Sequence, residues 1–383
     1  QGQLAPAAPL PNQLLFGVCS LSAKAAPEKN LTFDLYGRTN NLLFRIDGVD
    51  RKFGADAGDD AWIETPARPA DPATKPLSLF GKGDLVARWK FGREKIVVTQ
   101  TVKIVPGEPV VDPKKKDDLV RQLDTVLIRF TIENQDAKAH SIGLRVVWDT
   151  FIGANDGVPF TIPGEKTLID TQRRFEKDAV PEFLFAKEDP ASTSGTIVRI
   201  NLKLGKEIES PDIVLLTRWP GQPDTGSSVT SWDIPGRDMR NDSAIVLYWS
   251  PKDLATGAKR DVGFTYGLGT ETGDSGLSLS IGGEFSPNRP LSVVAQVEGD
   301  KDGRTAKIIL PDGLKLLKRE DEKEAKDTQP VPSPFRDGEG KLRPNPITWR
   351  IQAERTGIFP ITVETSDGKK QTKRISISAG GIF

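Results

Sequence analysis

The chain has one histidine, one cysteine and one methionine in 383 residues, and each scarcity removes a class of chemistry. A Ser-His-Asp triad would have to be built on His140, because no other imidazole exists. With no His pair and no Cys cluster, an ordinary zinc centre is excluded. His140 itself ends the polar run Asp136-Ala137-Lys138-Ala139-His140, which reads as a solvated hairpin turn. A single cysteine, Cys19, allows no internal disulfide and reads as a small buried hydrophobe. Neither sign of charge dominates: 53 Lys and Arg balance 53 Asp and Glu, so no basic field draws in nucleic acid or an anionic membrane. Long apolar runs are missing too, and none approaches the ~18 residues that span a bilayer as a helix, so no membrane span is expected. No glycine-rich phosphate loop precedes a helix.

What the chain does contain is strand pattern and turn chemistry. Hydrophobic residues make up 37%, enough for packed cores, while 36 Gly and 29 Pro supply frequent turns. Short apolar or alternating runs occur at 14–18, 31–36, 41–46, 85–91, 95–105, 125–133, 141–148, 196–202, 213–217, 244–249 and 262–268. In 95–105, Ile96, Val98, Val102 and Ile104 share one parity, interrupted by Gln100, so one face points inward. Asp47-Gly48 supplies a hairpin turn. A helical turn within 175–188 is cut by Pro181. The pattern breaks at Gly282-Gly283 and Ser286-Pro287. Beyond it, runs at 291–297, 305–310, 347–353, 359–365 and 371–378, with Asp302-Gly303, Asp312-Gly313 and Asp367-Gly368 as turns, fill about the ~100 residues of an immunoglobulin-like sandwich. The mixed-charge stretch 318–327, followed by Pro330, Pro332 and Pro334, reads as a solvated connection. The expected fold is all-β: an extended N-terminal arm (1–13), a large antiparallel β-sandwich (14–285), and an immunoglobulin-like β-sandwich (286–383).

Two passages carry a resemblance. Asn40-Asn41-Leu42-Leu43-Phe44-Arg45-Ile46-Asp47-Gly48 and Asp149-Thr150-Phe151-Ile152-Gly153-Ala154-Asn155-Asp156-Gly157-Val158-Pro159-Phe160-Thr161-Ile162-Pro163-Gly164 resemble an uncharacterised family of exported β-rich proteins of planctomycete-type bacteria, over most of residues 30–270. The tail, through Leu310-Pro311-Asp312-Gly313-Leu314, Trp349-Arg350-Ile351-Gln352-Ala353 and Gly357-Ile358-Phe359-Pro360-Ile361-Thr362-Val363, is similar to bacterial immunoglobulin-like modules. That likeness implies an adhesive, spacing or assembly role. A two-sheet unit of this size is also similar to the supersandwich of galactose-mutarotase-like proteins, although no catalytic motif secures the analogy.

No catalytic, cofactor-binding or metal-binding set is assigned from the residues. Carboxylates gather around the Gly-rich passage after Trp148, at Asp149, Asp156, Glu165 and Asp170. Two readings stand: Asn155-Asp156-Gly157 is a tight turn braced by Asp149, or a pair of acids works on a glycoside without help from His. Trp219 and Trp232 flank a polar Gly/Ser/Thr stretch and are the tryptophans placed near a loop surface, where an indole face can stack on a pyranose. Trp89, Trp148, Trp249 and Trp349 fall in strands and read as core. The ligand-binding candidates are therefore Asp149, Asn155, Asp156, Glu165, Trp219 and Trp232. Calcium is the one cofactor the acids admit, at Asp47/Asp50, Asp56/Asp59/Asp60 or Asp300/Asp302, none of which completes an EF-hand.

The run Gln1-Gly2-Gln3-Leu4-Ala5-Pro6-Ala7-Ala8-Pro9, without an initiator Met, reads as the end left by signal-peptide removal, so an extracytoplasmic location is expected. The leading functional expectation is a structural or interaction protein of the cell envelope or exterior, self-associating as a surface-layer or filament subunit through extended ends or the immunoglobulin-like domain. Leu10, Leu14 and Phe383 would be its anchors. The alternative is a carbohydrate-binding or carbohydrate-processing protein, with polysaccharide as partner and its site near 149–170 and Trp219/Trp232.

Overall fold

A computed structural model describes residues 16–20, 29–34, 37–54, 58–64, 84–111, 118–163, 165, 167–189, 195–205, 207–221, 230–269, 272–274, 276–318, 324–336 and 342–379. The expected arm 1–13, with Leu10, lies outside them, as do Leu14 and Phe383. Strands build almost everything, and the 3-10 turn Lys177–Ala179 is the helical element among the described residues. No helix there is long and apolar enough to cross a membrane.

Two antiparallel sheets form the first sandwich. One has eight strands in the order Phe160–Thr161, Phe183–Lys187, Ile197–Asn201, Lys259–Leu268, Leu119–Asn134, Ile96–Val111, Leu85–Phe91, Ala61–Glu64. The other has six: Arg173–Glu176, Ile213–Thr217, Ser243–Leu254, His140–Thr150, Asn41–Ile46, Val49–Lys52. Strand alternation puts Phe44, Val146, Trp148, Leu216, Leu247 and Trp249 of the six-stranded sheet against Trp89, Phe91, Phe130, Ile132, Phe264 and Tyr266 of the eight-stranded one, all of them buried. The Asn41–Ile46 and Val49–Lys52 strands close on Asp47 (φ 51°) and Gly48 (φ 81°), two left-handed residues whose twist suits a two-residue hairpin. Of the expected strand at 31–36, residues 35 and 36 lie outside the described residues, and 31–34 carry a single bridge, Thr32 to Thr150.

The second sandwich pairs a five-stranded sheet (Thr272–Asp274, Leu277–Gly283, Pro290–Val297, Pro346–Ala353, Leu314–Leu317) with a four-stranded one (Thr328–Pro330, Thr305–Ile309, Gly357–Thr365, Lys370–Ile377). It closes on its own core around Trp349, Ile351, Phe359 and Ile361. The junction expected at residue 285 moves earlier, because Leu277–Gly283 hydrogen-bonds to Pro290–Val297 and belongs to this second unit. Asp302-Gly303 and Asp312-Gly313 also change role. Each links a strand of one sheet to a strand of the other, whereas Asp367-Gly368 closes a true hairpin.

The two sandwiches meet along a dry seam. The Ile197–Asn201 strand is buried throughout and reaches the Leu277–Gly283 strand through Arg199, and on the adjoining Phe183–Lys187 strand the Phe183 ring packs so close that a Cβ on Gly282 would stand 2.3 Å from it. Within the seam Glu108 lies 3.4 Å from the Arg199 guanidinium and 3.0 Å from Lys373 Nζ, with all three side chains at most 5% exposed. Arg199 also donates to the Ile281 carbonyl at 3.2 Å and to Asn201 Oδ1 at 2.7 Å, and lies over the rings of Phe183 and Phe285. Beside this group, burial pushes the Asp124 carboxyl up to about 6, helped by the charge of Glu108 and opposed by the Thr125 hydroxyl. A carboxyl raised above its unfolded value of 3.8 keeps its proton in the folded state while the unfolded chain loses it, so stability falls as pH rises from about 4 to about 6 and then levels. Asp124→Asn should therefore raise stability by about 1–2 kcal/mol at pH 8 and leave it unchanged near pH 3.5. Urea titrations of both proteins at the two pH values check this, and a gain that persists at pH 3.5 would refute it.

His140 also departs from its expected setting. It opens the His140–Thr150 strand and is buried, not solvated: Nδ1 lies 2.7 Å from Asp47 Oδ2 and Nε2 3.0 Å from Asp136 Oδ2. The imidazole pins the Asp47-Gly48 hairpin to the neighbouring turn, and its neighbours hold the Asp136 carboxyl far below the usual carboxylate range. With both ring nitrogens so occupied, His140 is a structural cross-link.

Candidate functional site

Asp149 is the penultimate residue of the His140–Thr150 strand. Antiparallel pairing sets Ala244 opposite Asp149 and Ser243 opposite Thr150. This register decides which way the Asp149 side chain points. Asp149 shares a face with Val147 and Ala244, on the outer side of the six-stranded sheet, where the segment carrying Trp232 and Ile234 covers it. Its backbone N–H donates to Asn40 Oδ1 at 2.9 Å.

The loop after the strand turns at Ile152 to Asn155, whose backbones exchange two hydrogen bonds of 2.9 and 3.0 Å around left-handed Gly153 (φ 64°). The tight turn thus starts three residues before the expected Asn155-Asp156-Gly157. Gly157 is required for a different reason: a Cβ there would stand 1.9 Å from the Arg240 carbonyl. Asn155 donates from Nδ2 to the Glu188 carbonyl at 3.0 Å. The Asp156 carbonyl accepts from the Ser243 N–H at 2.8 Å and from the Ser243 hydroxyl at 3.0 Å. Ser243 Oγ in turn accepts from Val158 N–H at 3.1 Å and lies 2.7 Å from the Thr150 hydroxyl. Ser243 thus stitches the loop onto the start of its own strand.

Asp149, Asp156 and Asp242 consequently converge, each offering a carboxylate oxygen within 4.8 Å of the others. Asp149 and Asp242 are buried and Asp156 is half-buried. Burial pushes the Asp149 carboxyl up to about 8, with the charges of Asp242, Asp156 and Asp34 adding to the push and the Thr39 hydroxyl opposing it. Asp156 is raised to about 7, again by burial first and by Asp242 second. Oδ1 of Asp149 and Oδ1 of Asp156 are buried atoms with no hydrogen-bond partner.

The segment before Ser243 divides its side chains. Met239 and Asp242 point inward, whereas Asp238, Arg240 and Asn241 are exposed. With Arg218 these exposed residues line an open polar hollow of about 420 Å³. Arg240 donates from Nε to both Asp238 oxygens, at 3.0 and 2.9 Å, which keeps that carboxyl below the usual range. Trp219, next to Arg218, is half-buried and donates from its indole N–H to the Thr39 carbonyl at 2.9 Å. Through Thr39 and Asn40 it adjoins Asp149.

The structure therefore joins Asp149, Asn155, Asp156 and Trp219 at one end of the first sandwich and leaves two candidates elsewhere. Glu165 pairs with Arg173 at 2.9 Å. Trp232 is 8% exposed, packed on Tyr248 under the Arg45 guanidinium at 4.7 Å, so it is core and offers no face for stacking. The exposed aromatic at this end is Phe33, edge-on to Phe151 at 5.7 Å. Of the acids first considered for calcium, Asp47 is engaged with His140, Asp50 with Arg45 and Asp60 with Arg51. Asp56 lies outside the described residues. Residues missed in the sequence are Asp242, Arg218, Asp238, Arg240 and Asn241. Their signal is the run Arg237-Asp238-Met239-Arg240-Asn241-Asp242, five polar residues around one Met directly before a strand.

No family model and no curated protein matches this chain. Among solved structures it is similar to a polysaccharide lyase, at a TM-score of 0.31 and 10% identity over 92% of this chain, which spans 43% of the lyase. It is also similar to a galactose mutarotase-related enzyme from Lactobacillus acidophilus, at 0.32 and 11% identity, over 63% of this chain and 90% of that one. At these TM-scores neither likeness bears on function.

Proposed function

We propose that this chain is an exported, non-catalytic binding protein that takes a hydroxyl-rich ligand, a segment of polysaccharide, in the hollow lined by Arg218, Asp238, Arg240 and Asn241. The observation that carries the reading is that open hollow, whose lining mixes guanidinium donors, a carboxylate and an amide on a segment anchored by the Ser243 network. Paired sugar hydroxyls both donate and accept, so adjacent Arg and Asp side chains meet them with charge-assisted bonds. A concave site on a rigid sheet end loses little order on binding. A self-assembling subunit, acting through its extended ends or its immunoglobulin-like domain, is the other reading; its anchors Leu10, Leu14 and Phe383 lie outside the described residues, whereas the hollow is a formed concave surface.

Full-length protein on a glycan array, followed by calorimetry with the glycans it retains, tests the reading. Arg240→Ala and Asp238→Asn alter exposed residues and should each weaken binding at least about tenfold, the worth of one charge-assisted hydrogen bond, without changing the melt. A wild-type protein that retains no glycan would overturn it.

A further inference from the structure

We propose that Asp149, Asp156 and Asp242 are the carboxylate ligands of a calcium ion that ties the end of the His140–Thr150 strand, the loop after it and the lead into Ser243–Leu254 into one unit. The assignment stands on this cluster and does not depend on what the neighbouring hollow binds.

Three features point to a cation. Asp149 is only 2% exposed, yet its Oδ1 has no hydrogen-bond partner, and Asp156 Oδ1 is likewise unpartnered. A carboxylate oxygen left so is among the costliest groups to bury, and native proteins satisfy such atoms with a proton donor or an ion. The side chains brought to Asp149 here are two further carboxylates, Asp156 and Asp242, so acids crowd one largely buried spot that a cation would relieve. Finally, the spacing is right. Three carboxylate oxygens within 4.8 Å of one another are close enough to share one hard cation, and calcium accepts an all-protein carboxylate set more readily than magnesium, which keeps several waters. All-oxygen ligation by hard carboxylates excludes the softer metals that prefer sulfur or imidazole. Because Asp156 is half-buried, water can complete the shell from that side.

The ion would also explain the local build. Asp149, near the end of one strand, and Asp242, directly before the next, are set side by side by the Ala244 to Asp149 and Ser243 to Thr150 pairing, and Asp156 is held by the two bonds from Ser243 to its carbonyl. The three ligands thus come from backbone already fixed, the preorganisation that metal sites need.

The test uses full-length protein freed of metal with EGTA, titrated calorimetrically with calcium, magnesium or manganese chloride in separate runs, with melting followed by near-UV circular dichroism. Calcium should bind one to one and raise the melting temperature, and magnesium at equal concentration should do so less. Asp156→Asn, isosteric and at the half-buried position, should weaken calcium binding at least about tenfold. In EGTA the same variant should melt no lower than wild type, because it removes a repelling charge. A merely structural cluster would show the EGTA effect without the calcium one. The inference fails if wild-type protein takes up no calcium at millimolar concentration, if magnesium or manganese binds in preference, or if Asp156→Asn and Asp149→Asn both bind calcium as wild type does.

Discussion

Glu108→Gln is expected to cost about 3–5 kcal/mol, the range seen when one partner of a buried ion group is removed. The side chain keeps its size and its amide can still accept, but its charge disappears from between Arg199 at 3.4 Å and Lys373 at 3.0 Å. Both cations would then be buried with their shared counter-charge gone, Arg199 among phenylalanine rings and Lys373 on the far sandwich. Lys373→Met should remove part of the penalty when combined with Glu108→Gln, because it deletes one of the stranded charges; the coupling between the two changes should exceed about 1 kcal/mol. Urea unfolding monitored by far-UV dichroism gives all four stabilities of the cycle. A loss below about 1 kcal/mol for the single change would mean that water reaches the seam and screens the pair.

Phe44→Ala should lose a similar amount, about 3–5 kcal/mol, for a different reason. Phe44 is fully buried in the six-stranded sheet and meets Phe91 at 5.5 Å and Phe130 at 6.5 Å across the interlayer, with Phe53 at 5.9 Å on its own side. Two of these rings, Phe91 and Phe130, belong to backbone held in ladders, so they cannot collapse into the void. Phe44→Leu fills most of the space and should cost less than half as much. Equal losses for the two variants would show that the ring contacts themselves, not the volume, carry the stability.

The sequence revealed what is local. Alternation in 95–105 foretold the inward placing of Ile96, Val98 and Val102, with Ile104 of the same parity only half-buried, and Asp47-Gly48 foretold its hairpin, because strand parity and left-handed turn residues act over a few positions. The acid cluster was half visible: Asp149 and Asp156 lie close in the chain, but Asp242 arrives only through the pairing of Ser243 with Thr150, and register over that distance leaves no mark in either segment. His140 failed for the same reason. Its near partner, Asp136, made the stretch look like a wet turn, while the partner that buries it, Asp47, comes from another hairpin. Trp232 follows a polar, turn-rich stretch that argued for the surface, yet Trp232 and Ile234 pack on the apolar outer face of the six-stranded sheet. The seam also hid the junction, since Leu277–Gly283 carries strand pattern that fits either sandwich.

The dry contact around Glu108 bears on how such a gene can be rearranged. Cutting the chain between the sandwiches would leave one fragment with an arginine and a glutamate facing water and the other with a lysine shaped for a socket it no longer meets. Neither half is a cassette ready for transplantation; the piece that travels intact is the pair.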